Sequence, residues 1–188
     1  MVQRALASAQ KKSQQEGRII VWVDEAAFYL LAGVVRTYAP RGQTPVLRAP
    51  LTRDHLSLIS GITEAGRLLV RMQDHAFNGA DIVCFLRQLW RWLGSSLIVT
   101  WDGAPIHHDK QVKAFLVEST GAVHLEQLPG YAPDLNPDEA VWEQLKHVEL
   151  ANVVCHDQDE LRYQLHRAIA RLRRKPAIIR GFIKHYGY

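Results

Sequence analysis

The chain has 188 residues, of which 47% are hydrophobic and 22% charged, and its formal net charge is +4. This composition suits one folded domain with its own core and excludes a disordered chain. No uncharged apolar run reaches the roughly 18 residues of a membrane span, and residues 1–18 lack the apolar block of a secretory signal.

The first third of the chain predicts a helix, a strand and a loop. Residues 2–16 are polar and free of Gly and Pro, which permits a marginal helix that Gly17 would end. Residues 18–24 (RIIVWVD) form an apolar run closed by Asp24, which predicts a buried strand. Residues 36–54 contain three prolines and a glycine, and this content predicts a loop.

The rest of the chain alternates between strands and helices. Residues 55–63 and 67–73 flank a short turn and predict a β-hairpin. The elements that follow are predicted, in chain order, as a helix capped by Asn78 that runs to about Leu93, a strand over 97–102, a helix around 109–119, a strand over 122–128, a helix from Pro137 to about Glu149, an amphipathic helix from about Gln158 and a short helix from Pro176.

This order of elements predicts the fold class. A strand, a hairpin and then alternating helices and strands indicate an α/β mixed sheet flanked by helices. It is the order of the ribonuclease H-like fold, in which the first strand is central and the first strand after the helix lies beside it. We predict an N-terminal linker or helix over residues 1–17, a ribonuclease H-like domain over 18–150 and a basic helical extension over 151–188.

Three acidic residues occupy positions that suit chemistry. Asp24 and Asp102 each close an apolar strand, and sites in open α/β sheets form where adjacent strands diverge. Glu139 starts a helix after Asn136-Pro137 and is the third candidate. Each Asp can also be read as a loop cap, and Glu139 as the acidic partner of Asn136 in a capping box. Glu143, one turn further along, competes with Glu139 for the third position.

Three carboxylates suit a site for hard divalent cations. Mg²⁺ prefers oxygen ligands and takes few of them from protein. Two such ions about 4 Å apart can serve the attacking and leaving oxygens of an in-line displacement. The sequence contains no His/Cys cluster with zinc-ligand spacing, no Gly-rich phosphate loop and no Gly-x-Ser-x-Gly elbow. Cys84 and Cys155 lie far apart, which predicts two free thiols.

Three blocks of sequence resemble the DDE transposases of the Tc/mariner superfamily, in particular the bacterial insertion-sequence branch. The third block is the most specific of them. The blocks are residues 21–25 (VWVDE) with 38–45 (YAPRGQTP), residues 99–107 (VTWDGAPIH), and residues 128–139 (LPGYAPDLNPDE) continuing to 141–142 and 145–146.

The resemblance implies a function and a set of site residues. The family's catalytic, metal-binding acids fall on Asp24, Asp102 and Glu139, which favours Glu139 over Glu143. The implied activity is metal-dependent DNA cleavage and strand transfer at the ends of a mobile element, with two Mg²⁺ ions for which Mn²⁺ can substitute. Gly103 stands where the family usually has Asn, and Gly130 where it usually has Pro. The family's N-terminal helix-turn-helix region has no counterpart within the roughly 20 residues before the first strand.

The resemblance also implies partners. We expect element-end and target DNA, a homo-oligomer when active, a separate N-terminal DNA-binding region or chain, and a bacterial cytoplasmic, nucleoid-associated location. Two alternatives stay open, namely a ribonuclease H-like nuclease without strand transfer and a non-catalytic nucleic-acid-binding remnant.

The charge distribution suggests where DNA is bound. Residues 161–188 hold eight Lys or Arg and no acid, whereas residues 1–160 hold 15 basic and 19 acidic residues. Such a tail suits phosphate contacts, so we expect weak duplex binding with little sequence preference. A solvated helix end explains the same residues equally well, and His108 is expected at the surface. The candidate DNA contacts are Arg41, His107, Arg171, Arg173, Arg174 and Lys175.

Overall fold

The computed structural model describes residues 13, 15–30, 33–48, 52–129 and 135–188. Its strands form one sheet in the order β3-β2-β1-β4-β5. Strand β2 pairs antiparallel with β1 and β3, whereas β4 pairs parallel with β1 and β5. The mixed sheet, the central first strand and the position of β4 beside it were all predicted and are confirmed. The strands are β1 (Ile19–Tyr29), β2 (His55–Thr63), β3 (Leu68–Gln73), β4 (Leu97–Trp101) and β5 (Val123–Gln127).

Helices cover both faces of this sheet. Alternation along β1 directs Val21 and Val23 into one core with α1 and α2, and Trp22 and Phe28 into a second core with α3, α4 and α5. The predicted basic extension therefore contributes its apolar side to the same core as the central strand. The helices are α1 (Gly79–Leu93), α2 (Lys110–Glu118), α3 (Glu139–Gln144), α4 (Gln158–Arg173) and α5 (Pro176–His185), with a 3-10 turn at Pro105–His108 and a π turn at Leu145–Glu149 after α3.

Helix α1 has the ends that its sequence predicts. The Asn78 side chain accepts hydrogen bonds from the backbone N–H groups of Ala80 and Asp81, and the Asp81 carboxylate accepts one from the Asn78 N–H. Gly94 adopts φ +65° at the other end, a conformation that glycine takes without steric penalty. Because both ends are set locally, this helix is predictable from its own residues.

Two boundaries differ from the predictions. Strand β1 does not close at Asp24 but continues to Tyr29, because its second half pairs with β2 after leaving β4. Helix α3 begins at Glu139 rather than Pro137, because residues 136–138 form a turn in which the Glu139 N–H donates to the Asn136 carbonyl.

Other predictions lie partly outside the described residues. Most of the predicted N-terminal helix lies outside the described residues. The predicted end of that helix is described, and Gly17 has φ +63° there. Gly130 also lies outside the described residues. Both cysteines are free, as predicted. Within the part of the chain that the structure describes, no helix has the length and apolar character needed to cross a membrane.

Candidate active site

Asp24 and Asp102 occupy equivalent positions on neighbouring parallel strands. The pairing of β1 with β4 runs from Ile19↔Leu97 to Trp22↔Thr100 and then stops. Each aspartate lies two residues beyond that last pair, where the strands diverge and a ligand can enter. The prediction that both acids stand at this edge of the sheet therefore agrees with the register, although β1 itself continues.

The Asp24 carboxylate is largely buried and faces helix α3. It accepts a hydrogen bond from the indole Nε1 of Trp142 over 2.7 Å. The pKa of Asp24 is raised to about 8, first by burial and then by the charge of Glu139, against the lowering effect of the Trp142 hydrogen bond. The charges of Glu25 and Asp102 add to the increase. Asp24 therefore lies in a field of negative charge that a cation would relieve.

Glu139 reaches this edge because the turn before α3 is tied to β1. The Asn136 side chain donates to the Val23 carbonyl over 3.0 Å and accepts from the Asp138 N–H. Burial raises the pKa of Glu139, Lys146 opposes the increase, and the charges of Glu143 and Asp102 reinforce it. The helix cap at Asp138 makes no side-chain hydrogen bond, so the capping-box explanation of Glu139 does not describe this helix start.

The neighbouring Asp138 is a buried acid that sequence reasoning missed. Its Oδ2 accepts a hydrogen bond from the Ser60 hydroxyl over 2.6 Å, while its buried Oδ1 has no partner among the described residues. Burial raises the pKa of Asp138 well above its usual range, and the charges of Asp24, Glu25 and Glu139 act in the same direction. The surroundings of Asp138 therefore disfavour its charged form. No local sequence signal distinguishes it, since its burial depends on the docking of α3 against β2.

On the other side of Asp102, a histidine joins two acids. The His107 Nε2 lies 3.1 Å from Glu25 Oε1, and its Nδ1 lies 3.0 Å from the Asp102 carbonyl oxygen and 3.1 Å from Asp102 Oδ1. The imidazole stacks on Trp101 with ring centroids 3.8 Å apart, and its side chain is only 2% exposed. Burial lowers the pKa of His107, but the hydrogen bond and charge of Glu25 outweigh it, so the pKa is raised.

Among the described residues, the one set of three possible ligand side chains that lie close together contains Asp102 but neither Asp24 nor Glu139. One potential ligand atom from each of Glu25, Asp102 and His107 lies within 4.8 Å of the others. Asp24 and Glu139 interact with Asp102 through charge, and Asp24 contacts the α3 side. Glu25 was quoted in the sequence blocks without a role. The alternation of a strand, which sends adjacent residues to opposite faces, is the signal that separates it from Asp24.

The surroundings of this edge bear on two further sequence features. A cavity of about 380 Å³ adjoins Glu25 and is also lined by Ala104 and Ile106. A Cβ atom at Gly103 would clash with the Gln127 side-chain amide, so an Asn here requires that flexible side chain to move. Glycine in place of the family's usual Asn at position 103 therefore leaves Asp24, Asp102 and Glu139 unchanged. It also leaves space for the Gln127 side chain.

The candidate DNA contacts in the tail are largely engaged within the protein. Arg171 Nε and Lys175 Nζ lie 2.6 Å and 3.5 Å from the carboxylate of Glu149, and Arg173 Nε donates to the Leu68 carbonyl over 3.2 Å. Arg41 and Arg174 are exposed, as is His108, whereas His107 is buried against Asp102. Contact of any of these residues with DNA stays a prediction.

The comparisons with known proteins agree with this architecture. The profile of the family described as DDE superfamily endonuclease matches residues 19–162. The Mos1 transposase paired-end complex with the left transposon end is similar in structure, with a TM-score of 0.64 and 16% identity, covering 100% of this chain and 61% of that one. The Mos1 mariner paired-end complex with Mn has a TM-score of 0.63 and 17% identity, covering 98% of this chain and 61% of that one.

The isolated catalytic domain of the Mos1 mariner transposase is also similar, at a TM-score of 0.59 and 15% identity over 98% of this chain and 91% of that one. At these identities the likeness establishes the ribonuclease H-like fold. The chain spans about three fifths of the Mos1 chains in the paired-end complexes. No curated protein sequence matches the chain.

Proposed function

Because the chain belongs to the family of DDE superfamily endonucleases, we propose that it is the catalytic domain of a transposase that cuts and joins DNA at the ends of a mobile element. The observation that carries the proposal is the equivalent placement of Asp24 and Asp102, two residues beyond the last β1–β4 pair, with Glu139 coupled to both through charge. A sheet edge with this charge is suited to phosphoryl transfer rather than to binding alone.

Asp24, Asp102 and Glu139 would hold two divalent ions, Mg²⁺ or Mn²⁺. The donor set fits, since it consists of carboxylate oxygens. Burial and then neighbouring acids raise the pKa values of Asp24 and Glu139, and a bound cation would oppose this increase. Such ions activate the attacking oxygen and stabilise the leaving oxygen of an in-line displacement. A Mos1 mariner complex with Mn among the similar structures supports this choice of cation.

The chain's own groups set the positions of these ligands. Trp142 fixes the rotamer of Asp24 through its indole N–H, and Asn136 ties the turn before Glu139 to β1. The Nδ1 of His107 contacts Asp102 at two oxygens, and its Nε2 contacts the Glu25 carboxylate. Ligands held by neighbours in this way lose little freedom when a cation binds.

Two displacements make up the proposed reaction. In the first, water attacks the phosphorus at an element end, the P–O bond to the leaving 3′ oxygen breaks, and that oxygen takes a proton. In the second, the freed 3′ hydroxyl attacks a target phosphodiester and displaces its 3′ oxygen. Element-end and target DNA are therefore the proposed substrates. A homo-oligomer, a separate N-terminal DNA-binding region and a bacterial nucleoid location complete the proposal.

The test is a cleavage and joining assay. We would incubate the chain with Mn²⁺ and labelled duplexes that carry candidate element ends, and resolve nicked and joined products. Nicking followed by joining is the expected result, and Asp24→Asn should abolish both. Glu143→Gln is the matched control, because Glu143 is 71% exposed on α3 and pairs only with His147 in the described part of the chain. Nicking without joining would identify a nuclease, and equal loss in Glu143→Gln would contradict the assignment of Glu139.

A further inference from the structure

A cleft rich in arginine lies at the end of the sheet opposite the carboxylates. It has a volume of about 590 Å³ and lies between the β2–β3 turn, the end of α1 and the junction of α4 with α5. We call it the arginine cleft, and its lining includes Arg67, Trp92, Arg173 and Pro176. Asp24 pairs with Ser60, whereas the turn follows Thr63 at the other end of β2, roughly 10 Å further along the strand.

Arg67 is held in place on one wall of this cleft. Its guanidinium carbon lies 3.9 Å from the centre of the Trp92 ring, and its Nη2 donates to the Trp92 carbonyl over 3.1 Å. Stacking and the backbone bond together fix the plane of the guanidinium. Four of its five N–H donors are not needed for the Trp92 carbonyl and can meet a ligand.

Arg173 is held in a similar way on the opposite wall. Its Nε donates to the Leu68 carbonyl over 3.2 Å, which leaves the two terminal nitrogens for a ligand. Arg180 reaches the same turn, with its Nη1 3.5 Å from the Ala65 carbonyl. Guanidinium groups anchored by backbone carbonyls present a preformed fork to a phosphate and lose little entropy when they bind it.

The turn that joins these walls can only be built with glycine. Gly66 has φ +79°, and a Cβ there would lie 2.5 Å from the Pro176 carbonyl oxygen. This close approach brings the β2–β3 turn against the start of α5 and so fixes the separation of the walls. Glu64 is the acid within the turn itself, which leaves the arginines in excess.

We infer that the arginine cleft binds the phosphodiester backbone of duplex DNA. The inference rests on the proposed function for the identity of the polyanion. The carboxylate edge repels phosphate, so affinity for DNA must come from another surface of the domain. Arg171 and Lys175 in the tail are engaged by Glu149, whereas the terminal nitrogens of Arg173 have no partner among the described residues. The cleft thus supplies contacts that do not depend on sequence.

The first experiment measures the affinity of the full chain for a labelled random-sequence duplex as a function of salt, with EDTA present. Arg67→Gln/Arg173→Gln should weaken binding about tenfold at low salt and reduce the slope of log affinity against log salt by about two, since each phosphate contact contributes roughly 0.9. Arg53→Gln/Lys113→Gln removes the same charge from exposed positions elsewhere and should change the slope much less. An unchanged affinity, or an equal loss in the control, would overturn the inference.

A second measurement separates the cleft from the catalytic proposal and from misfolding. The cleft variant should keep its far-ultraviolet circular dichroism and its Mn²⁺-induced rise in Tm, because the carboxylates lie at the other end of the sheet. Asp24→Asn should lose cleavage while keeping the metal-free affinity for DNA. A chain that cleaves no duplex yet loses affinity in the cleft variant would contradict the proposed function and support the cleft. Cleavage by the chain, together with unchanged DNA affinity in the cleft variant, would support the proposed function and contradict the inference about the cleft.

Discussion

Trp142 donates its indole N–H to the carboxylate of Asp24 over 2.7 Å and joins helix α3 to the central strand at the candidate site. The Trp142 side chain is 2% exposed and makes an edge contact with Phe28. The same residue that anchors the helix in the core therefore also orients a candidate metal ligand.

Trp142→Phe tests this double role. The variant keeps an aromatic ring but loses the hydrogen bond, so we expect a loss of about 1–3 kcal/mol in the free energy of unfolding. The pKa of Asp24 should rise further, and Mn²⁺ should bind several-fold more weakly because protons compete for the carboxylate. Denaturant unfolding and Mn²⁺ titration measure the two effects. Trp90→Phe on α1 is the control, and an equal loss of Mn²⁺ affinity there would rule out a specific role for Trp142.

The pKa of Asp24 predicts how stability depends on pH without metal. An acid whose folded pKa is about 8 binds more protons in the folded than in the unfolded state between its ordinary value of about 4 and pH 8. The free energy of unfolding should therefore fall as pH rises through that window. Asp24→Asn keeps an acceptor for Trp142, should flatten this dependence and should stabilise the chain by about 1–3 kcal/mol at pH 8. If the free energy of unfolding changed with pH in the same way in both chains, Asp24 would not be the group responsible.

A divalent cation should stabilise the folded chain in proportion to its occupancy. Binding to the native state alone raises Tm with cation concentration. We expect this rise with Mg²⁺ and Mn²⁺, and we expect Asp102→Asn to remove it, because Asp102 interacts with both Asp24 and Glu139. Differential scanning calorimetry across cation concentrations measures the effect. The same rise in the variant would place the cation at another site.

His107 provides a test of how Asp102 is positioned. His107→Gln should weaken Mn²⁺ binding by about tenfold, the usual effect of removing a group that orients a metal ligand. His108→Gln, at the exposed neighbouring position, should leave it unchanged. Calorimetric titration with Mn²⁺ gives both affinities. A loss of DNA affinity in EDTA confined to His107→Gln would instead support the predicted DNA contact.

Glu149 tests the role of the basic tail. Its side chain is 6% exposed and binds Arg171 and Lys175 at the end of α4. Burial alone would raise the pKa of Glu149, but the hydrogen bond and charge of Arg171 lower it, so its stabilisation is complete above the unfolded pKa and disappears as pH falls through the folded one. Glu149→Gln should destabilise the chain by about 1–3 kcal/mol at pH 7 and little at acidic pH. Urea unfolding of both chains at the two pH values measures this difference in the free energy of unfolding.

The sequence predicted those features that depend on local patterns. Helix α1 follows from Asn78 and Gly94, and the place of Asp24 and Asp102 follows from two apolar runs that each close on an acid. The continuation of β1 was missed, because residues 25–29 lack a local strand pattern and are held by pairing with β2. The burial of Asp138 and the bridge from Glu25 through His107 join residues distant in sequence, and no local spacing reports such contacts.

The shared offset of Asp24 and Asp102 from the last β1–β4 pair has a consequence for mutational tolerance. Side chains on a strand alternate between faces, so removal of one residue between the last pair and either aspartate would turn that carboxylate away from its partner. The apolar residues before them can exchange with others of similar volume and leave the register intact. In a library of variants, substitutions within residues 19–23 and 97–101 should therefore be accepted far more often than single-residue deletions there.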